Sequence, residues 1–482
     1  ACGTTQLGDS GDTFTVPAGA TISNLGTATG FGGTGVVSWD TASIKTTGFT
    51  AVTGTGYFCD TTGGGFTVTL PLSPSAGDVV GVSDYAKTFD TDNLTLLRNG
   101  SNISGTASDS IISAEGIAVT LVYVDATKGW IVTDSGNQSD APLPTYIAAT
   151  GGCITTCGNF KMHTFFGPGT LCVSAAGNCA GSNTVSYMVV AGGAGGGWDR
   201  GGAGGAGGFR ESKASSDSYT ASPLNATCGA PGYNLPVSAT PYAIVVGGGG
   251  AGGSTGAPTA KGKVGFSSSF STITSAGGGG GGAANPTPAG TYGPGDAGGS
   301  GGGGSSHAPS GTQTGGAGNT PPTSPSQGSA GGPTTPPNYA PGGGGGGATA
   351  VGTTATSGIG NGVAGGAGAG TAINLTTMPA PSPTPSAQIG TPGPSPSVRY
   401  FSGGGGGGAS YCCGTTARTG GPGGTGGGGA GGNSPGSAST VGTVGTINTG
   451  GGGGGGGNPS GTGPSVGGNG GSGIVVIRYK YQ

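Results

Sequence analysis

Unbroken glycine tracts punctuate the second half of this chain: Gly277 to Gly282, Gly342 to Gly347, Gly403 to Gly408 and Gly450 to Gly457. Glycine loses more backbone freedom on ordering than any other residue and brings no side chain to a core. Such a run either stays unordered or gains something that only a bare backbone can supply. A linker mixes Gly with Ser and has no reason to recur, so the repetition argues for order. An extended threefold helix of the polyproline II type rises about 3.1 Å per residue and leaves every N–H and C=O pointing outward. Packed side by side, such helices satisfy one another laterally, as buried backbone groups require, and only Gly permits close contact on every side. A six-residue run then spans roughly 19 Å, and the runs are expected to form the interior of a stacked array. Collagen is excluded, because it needs Gly at every third position and these glycines cluster.

Composition narrows the function. Among 482 residues, 124 are Gly and 33 Pro, while only 14 are Lys or Arg and 17 Asp or Glu. An ordinary enzyme is not expected, since catalysis draws on His, Asp, Glu, Lys or Cys in a packed cleft and there are two His. A depolymerase would need a carboxylate pair in a groove, and the glycine region offers only Asp199, Glu211, Asp217 and Asp296. No catalytic residue, cofactor or metal is therefore assigned. The net charge of −3 argues against nucleic acid, which demands clustered Lys and Arg. No apolar run approaches the ~20 residues of a membrane span, so no membrane insertion is expected.

The chain is bipartite. Residues 1–150 carry 13 acidic and 4 basic side chains, whereas 151–482 carry 4 and 10. The fold class expected is all-β, with almost no α-helix: N-terminal β-sandwich-like modules, then a polyglycine, polyproline-II-type helix array closed by β-strands. Its divisions are an attachment segment over 1–55, a sandwich-like module over 56–134 and a linker over 135–150. A cysteine-containing β-hairpin follows over 151–191, then the glycine-rich domain over 192–482 with a closing strand at 474–482.

In the first module, Phe14 and Val16 alternate with polar neighbours in DTFTVPAGATI, and Phe66, Val68 and Leu70 do so in FTVTLP. Short alternating runs between Gly, Pro, Asn and Asp punctuation signal hairpins in a compact β-domain. Asn99-Gly100 signals a two-residue turn with positive φ at both positions. Trp39, Trp130, Tyr123 and Phe66 read as core aromatics. The acidic clusters Asp9/Asp12 and Asp90/Asp92/Asn93 lack the calcium-loop pattern and read as turns and caps.

Nine cysteines leave at least one thiol free or shared between chains. Cys153, Cys157, Cys172, Cys179 and the adjacent Cys412 and Cys413 are the disulfide candidates; reduced thiols are the alternative, and the Cys spacing is not that of a zinc knuckle. FKMHTFFGPGTLCVS reads as a hairpin tipped by Gly167-Pro168-Gly169, with His163 facing a neighbouring strand. VSYMVV reads as a buried strand, and the terminal GSGIVVIRYKY as one that pairs with it or with YAIVV.

Segments between the glycine runs are rich in Pro, Thr and Ser with scattered Tyr. Loops on a rigid scaffold are where recognition resides, and Tyr supplies rigid contact area with a polar tip. The receptor-binding candidates are Tyr292, His307, Tyr339, Arg399, Tyr400, Phe401, Tyr411 and Arg418.

The segments VSYMVVAGG, GGAGGFRE, YAIVVGGGG and GGNGGSGIVVIRY, with the poly-Gly runs, resemble the glycine-rich domain of bacteriophage tail fibres and adhesins, as in marine and cyanobacterial phages. GDTFTVPAGATI and FTVTLPLSPSAGDVVGVSDY resemble β-modules of phage virion proteins. The resemblance implies a virion structural protein on the tail or capsid exterior. It would contact other virion proteins and, through loops between glycine helices, a host surface glycan or outer-membrane protein. It also implies a homotrimer, although similar tip adhesins act as a single chain. A capsid decoration or head-fibre protein, or a cellular surface or matrix protein, are the alternatives. Nine cysteines depart from the fibre pattern, and the missing initiator Met reads as a processed or truncated N-terminus.

Overall fold

The computed structural model describes residues 37–141, 144–255, 260–284, 293–306, 311–335, 340–356, 360–373, 389–411, 417–434, 441–458 and 465–482. The hairpin expected around Phe14 and the Asp9/Asp12 cluster lie outside them. The chain divides into two compact units, Ala1–Pro142 and Leu143–Gln482.

The first unit comprises β1 (Ser38–Lys45), β2 (Phe49–Thr50), β3 (Thr55–Cys59), β4 (Thr67–Thr69), β5 (Val79–Asp84), β6 (Leu94–Leu97), β7 (Ser110–Ile112), β8 (Ile117–Asp125) and β9 (Gly129–Asn137). Successive strands alternate between two sheets: β1, β3 and β5 are parallel neighbours in one, and β2, β4 and β6 in the other. The chain thus coils between two layers. Antiparallel β8 and β9 finish the first sheet and β7 the second. Val68, Leu70, Val80, Val82, Leu94, Leu121 and Trp130 fill the space between. Because β1 and β2 pair with β3 and β4, residues 37–55 are not a separate segment. Likewise β9 runs into the expected linker, so the division falls within 135–150.

Asn99 and Gly100 have φ of 49° and 94°, and the Ser101 N–H closes the turn on Arg98 O at 3.1 Å. The turn is as expected, but β6 pairs with the more distant β7. Trp130 is buried and Phe66 and Tyr123 pack against the core. Trp39, expected inside, is 37% exposed and lies across Gly56, where a Cβ would come within 2.6 Å of its ring.

The second unit begins with β10 (Ile147–Thr150), β11 (Cys153–Cys157), β12 (Phe160–Phe165), β13 (Gly169–Ala176) and β14 (Thr184–Val190), followed by β15 (Phe209–Ser212), β16 (Leu235–Pro236), β17 (Pro241–Val245), β18 (Ser268–Phe270) and β19 (Ile273–Ser275). Three late strands complete it: β20 (Ala369–Thr371), β21 (Arg399–Phe401) and β22 (Ile474–Lys480). One sheet has the order β10-β13-β17-β18-β19 and a second β11-β12-β22-β14-β15. The closing strand pairs with VSYMVV, antiparallel from Ser186↔Arg478 to Val190↔Ile474. Val185, Tyr187 and Val189 face the first core with Val475 and Ile477, while Met188 and Val190 face another with Phe209 and Phe401. That sheet is buried on both faces, so its strands are apolar without alternation.

The Gly167-Pro168-Gly169 segment does not tip a hairpin: β12 and β13 lie in different sheets and it turns the corner between them. The hairpin is β11–β12. His163 on β12 is buried. Its Nδ1–H donates to Gly151 O at 2.6 Å, and its Nε2 lies 2.9 Å from the Tyr479 hydroxyl. Burial holds its pKa below the ordinary 6.5. The unfolded chain therefore binds the proton more readily, and this share of stability is full above pH 6.5 and falls as pH drops through the folded value. Raised carboxyl pKa values elsewhere act in the opposite direction, so the check is differential. The melting temperature of wild type minus that of His163→Gln should shrink between pH 7.5 and 5.

Rods grow from this base of sheets. The run 191–197 continues β14, 201–208 leads back into β15, and 466–472 leads into β22. Along the first, Gly192, Gly195 and Trp198 donate to Phe266, Lys263 and Ala260, each at 2.9 Å; Gly193, Gly196 and Asp199 donate to Gly471, Gly468 and Ser465; Ala194 and Gly197 donate to Gly205 and Gly202. Every third residue returns to the same neighbour, as three residues per turn require. The glycine runs are therefore laterally bonded extended helices.

Interior and edge rods differ in sequence for a steric reason. The rod 201–208 donates to 450–456, to 276–282 and to 343–346, and accepts from 191–197, 300–303 and 405–408. It has no free side. A Cβ on Gly202, Gly204 or Gly205 would lie 2.0 to 2.3 Å from a carbonyl oxygen of another rod. On the edge, Val441-Gly-Thr-Val-Gly-Thr-Ile447 keeps Gly only where Gly442 and Gly445 meet the rod 451–454. Val444 and Ile447 are 63% and 71% exposed.

Candidate functional site

The rods have two ends of different character. At one lie the β-sheets. At the other, the interior rods 191–197 and 201–208 are joined by Trp198-Asp199-Arg200, and hydrogen bonds gather other rod ends around this turn. Trp198 donates to Ala260 O, Asp199 to Ser465 O, Ser306 to Arg200 O and Gly201 to Gly456 O. Beside them, Gly342 donates to Gly408 O, Ser410 to Gly360 O and Ala409 to Gly432 O. Described residues that flank 256–259, 285–292, 307–310, 357–359, 435–440 and 459–464, among them Ala260, Ala284, Ser306, Gly360, Ser434, Asn458 and Ser465, bond to one another or to the turn at this end. Ile373, which precedes 374–388, lies instead in the base, its carbonyl 3.5 Å from Arg478 Nη1.

The turn itself is unusual. Asp199 and Arg200 have φ of 44° and 48°, a region sparsely used by residues with a side chain. Asp199 is 7% exposed, and Arg200 Nη2 reaches its Oδ2 at 3.3 Å. Burial pushes the Asp199 carboxyl pKa up, and the Arg200 charge and hydrogen bond offset part of that. Trp198 Nε1, Asp199 Oδ1 and Arg200 Nε are buried without a hydrogen-bond partner among the described residues. Unmet buried polar atoms cost about 1–3 kcal/mol each. Strained backbone and unmet polar groups in one turn mark a place shaped for something other than stability. The sequence signal was present: these are the large side chains that interrupt Gly192–Gly208, a tract otherwise Gly and Ala.

Of the receptor-binding candidates, Tyr292, His307 and Tyr339 lie outside the described residues. At the far end Tyr411 is exposed and Arg418 half-buried, with Arg418 forming a backbone bridge to Ser434. Arg399, Tyr400 and Phe401 belong elsewhere. They form β21, paired with β20; Phe401 is fully buried in the base core, and Arg399 Nη2 donates to Gly390 O at 2.7 Å. Alternation of a two-stranded ribbon on a core, not a loop tip, explains RYF.

Cys153, Cys157, Cys172 and Cys179 are free thiols, which corrects their expected pairing. Cys153 and Cys157 end the same strand, and four residues at ~3.3 Å per residue separate them by more than the ~7 Å that a disulfide spans. Cys412 and Cys413 lie outside the described residues.

The remaining charge of this unit is concentrated in the base. Arg478 Nε donates to both oxygens of Asp217, at 3.1 and 3.0 Å, and Ser186 Oγ donates to Asp217 Oδ2 at 2.9 Å. Glu211 accepts from Ser222 N at 2.8 Å and Thr371 Oγ1 at 2.5 Å, and its burial drives its pKa up. Asp296 instead meets Lys261 on the flank of the array.

A family profile described as a glycine-rich domain matches residues 169–480. No curated protein matches the chain.

Proposed function

The chain belongs to the glycine-rich domain family, and from that premise we propose that it is a virion structural protein, a bacteriophage tail fibre or tail-tip adhesin. In this reading the first unit joins other virion proteins, and the far end of the rods meets a host surface glycan or outer-membrane protein outside the cell. Copies assemble as a homotrimer.

The observation that carries the reading is the gathering of rod ends such as Ala260, Ala284, Ser306, Gly360, Ser434 and Ser465 around one end of an array whose interior has no side chains to spare. A scaffold of laterally bonded backbone holds its shape whatever the connections contain, which is what a variable binding surface requires. The strained Trp198-Asp199-Arg200 turn sits among these rod ends.

The test is adsorption. Virions in which 285–292 and 336–339 are replaced by Gly-Ser segments should adsorb to host cells at least tenfold more slowly. The same replacement of 374–388, rooted in the base, should leave adsorption unchanged. Wild-type adsorption by the far-end variant, or particles carrying this chain on the capsid shell alone, would overturn the adhesin reading.

A further inference from the structure

A cavity of about 700 Å³ opens in the base, lined among others by Asn159, Phe160, Ser218, Tyr219, Ser397 and Arg478. It lies outside the far-end site. Its wall has a definite chemistry. The Arg478 guanidinium sits 4.6 Å from the Phe160 ring centroid and 5.6 Å from that of Tyr219. Asp217 engages its Nε alone, and Nη1 reaches only Ile373 O, at 3.5 Å. Nη2 donates to no protein acceptor among the described residues, although Arg478 is 5% exposed. A nine-tenths buried guanidinium with unspent donors therefore faces the cavity.

We propose that this cavity binds an acidic saccharide unit, a pyranose bearing a carboxylate. The free edge of a guanidinium matches a carboxylate in a paired, charge-assisted geometry. The Phe160 and Tyr219 rings offer apolar walls to the C–H face of a sugar ring. Ser218, Ser397 and Asn159 offer hydroxyl and amide partners, the mix of apolar wall and few polar groups that fixes a small ligand. The volume lies within the 300–1,000 Å³ usual for such sites. A second cation stands at the wall, Lys213 Nζ lying 6.0 Å from the Tyr219 ring centroid, beside the Asp217 and Glu211 carboxylates that also face Tyr219.

The probe is glucuronate, titrated calorimetrically into the full chain, with glucose and acetate as partial ligands. Glucuronate should bind with a Kd of about 1 mM, as a ligand of this size allows. Glucose and acetate should each bind at least tenfold more weakly. Ser397→Trp, which fills the cavity from its rim, should abolish binding while the melting temperature stays at the wild-type value. Tyr219→Leu should weaken it at least fivefold. No saturable binding of glucuronate by wild type overturns the proposal. So does acetate binding equal to glucuronate, which reduces the site to an anion contact, or binding undiminished in Ser397→Trp.

Discussion

Gly204→Ala is expected to abolish the fold of the array, or to destabilise it by more than about 4 kcal/mol, beyond what most single substitutions do. The new Cβ would stand 2.1 Å from the Ala194 carbonyl oxygen and 2.7 Å from its carbon. The rod cannot retreat. Gly204 N–H is bonded to Gly453 O at 2.8 Å, and its own carbonyl accepts from Gly405 at 3.0 Å, so a shift that relieves one contact breaks bonds to others. The control is Gly248→Ala on an edge rod, where the nearest atom to a Cβ is Phe266 Cδ2 at 3.9 Å. That change should lie within about 0.5 kcal/mol of wild type, with the reduced freedom of the unfolded chain acting in its favour. Denaturant unfolding of the two variants reads the difference. Equal effects would mean that glycine is retained for reasons other than lateral packing.

Asp217→Ala should cost about 3–5 kcal/mol, the usual consequence of stranding one member of a buried ion pair. The Asp217 side chain is 1% exposed and that of Arg478 6%. The carboxylate also takes the Ser186 hydroxyl and the Ser218 N–H, at 2.9 and 2.8 Å. Removing it leaves a guanidinium inside the base of the sandwich with no counter-ion. Arg478→Met in the same chain should recover most of the loss, because an apolar pair of similar volume avoids the desolvation of both charges. The double-mutant cycle in urea measures this, and additive losses would contradict the pairing.

What could be read from residue order alone followed from local rules. The glycine runs announced lateral packing because nothing else orders consecutive glycines. The short apolar runs VSYMVV and GIVVIRY announced buried strands. Asn99-Gly100 announced its turn. What escaped was decided at long range. The coil of β1 to β6 between two sheets looks, strand by strand, like any antiparallel module, since pairing partners are not written in local pattern. Arg399-Tyr400-Phe401 carried the composition of a contact loop, and only its pairing with β20 shows it to be a strand whose Phe401 enters the core. Which end of the array each rod terminus reaches depends on the up-and-down order of the whole array. Trp198-Asp199-Arg200 was visible as an interruption, but its strain and unmet polar atoms arise from the rods that enclose it.

Amide hydrogen exchange, resolved at the glycines, bears most directly on the lateral bonding of the rods. The N–H groups of Gly193, Gly196, Gly204, Gly343 and Gly405, each bonded to a carbonyl of another rod, should exchange only on unfolding of the unit, as slowly as those of Val189 and Val476 in the base sheet. Exchange of these glycines at the rate of an unstructured chain, while the sheet stays protected, would contradict the array.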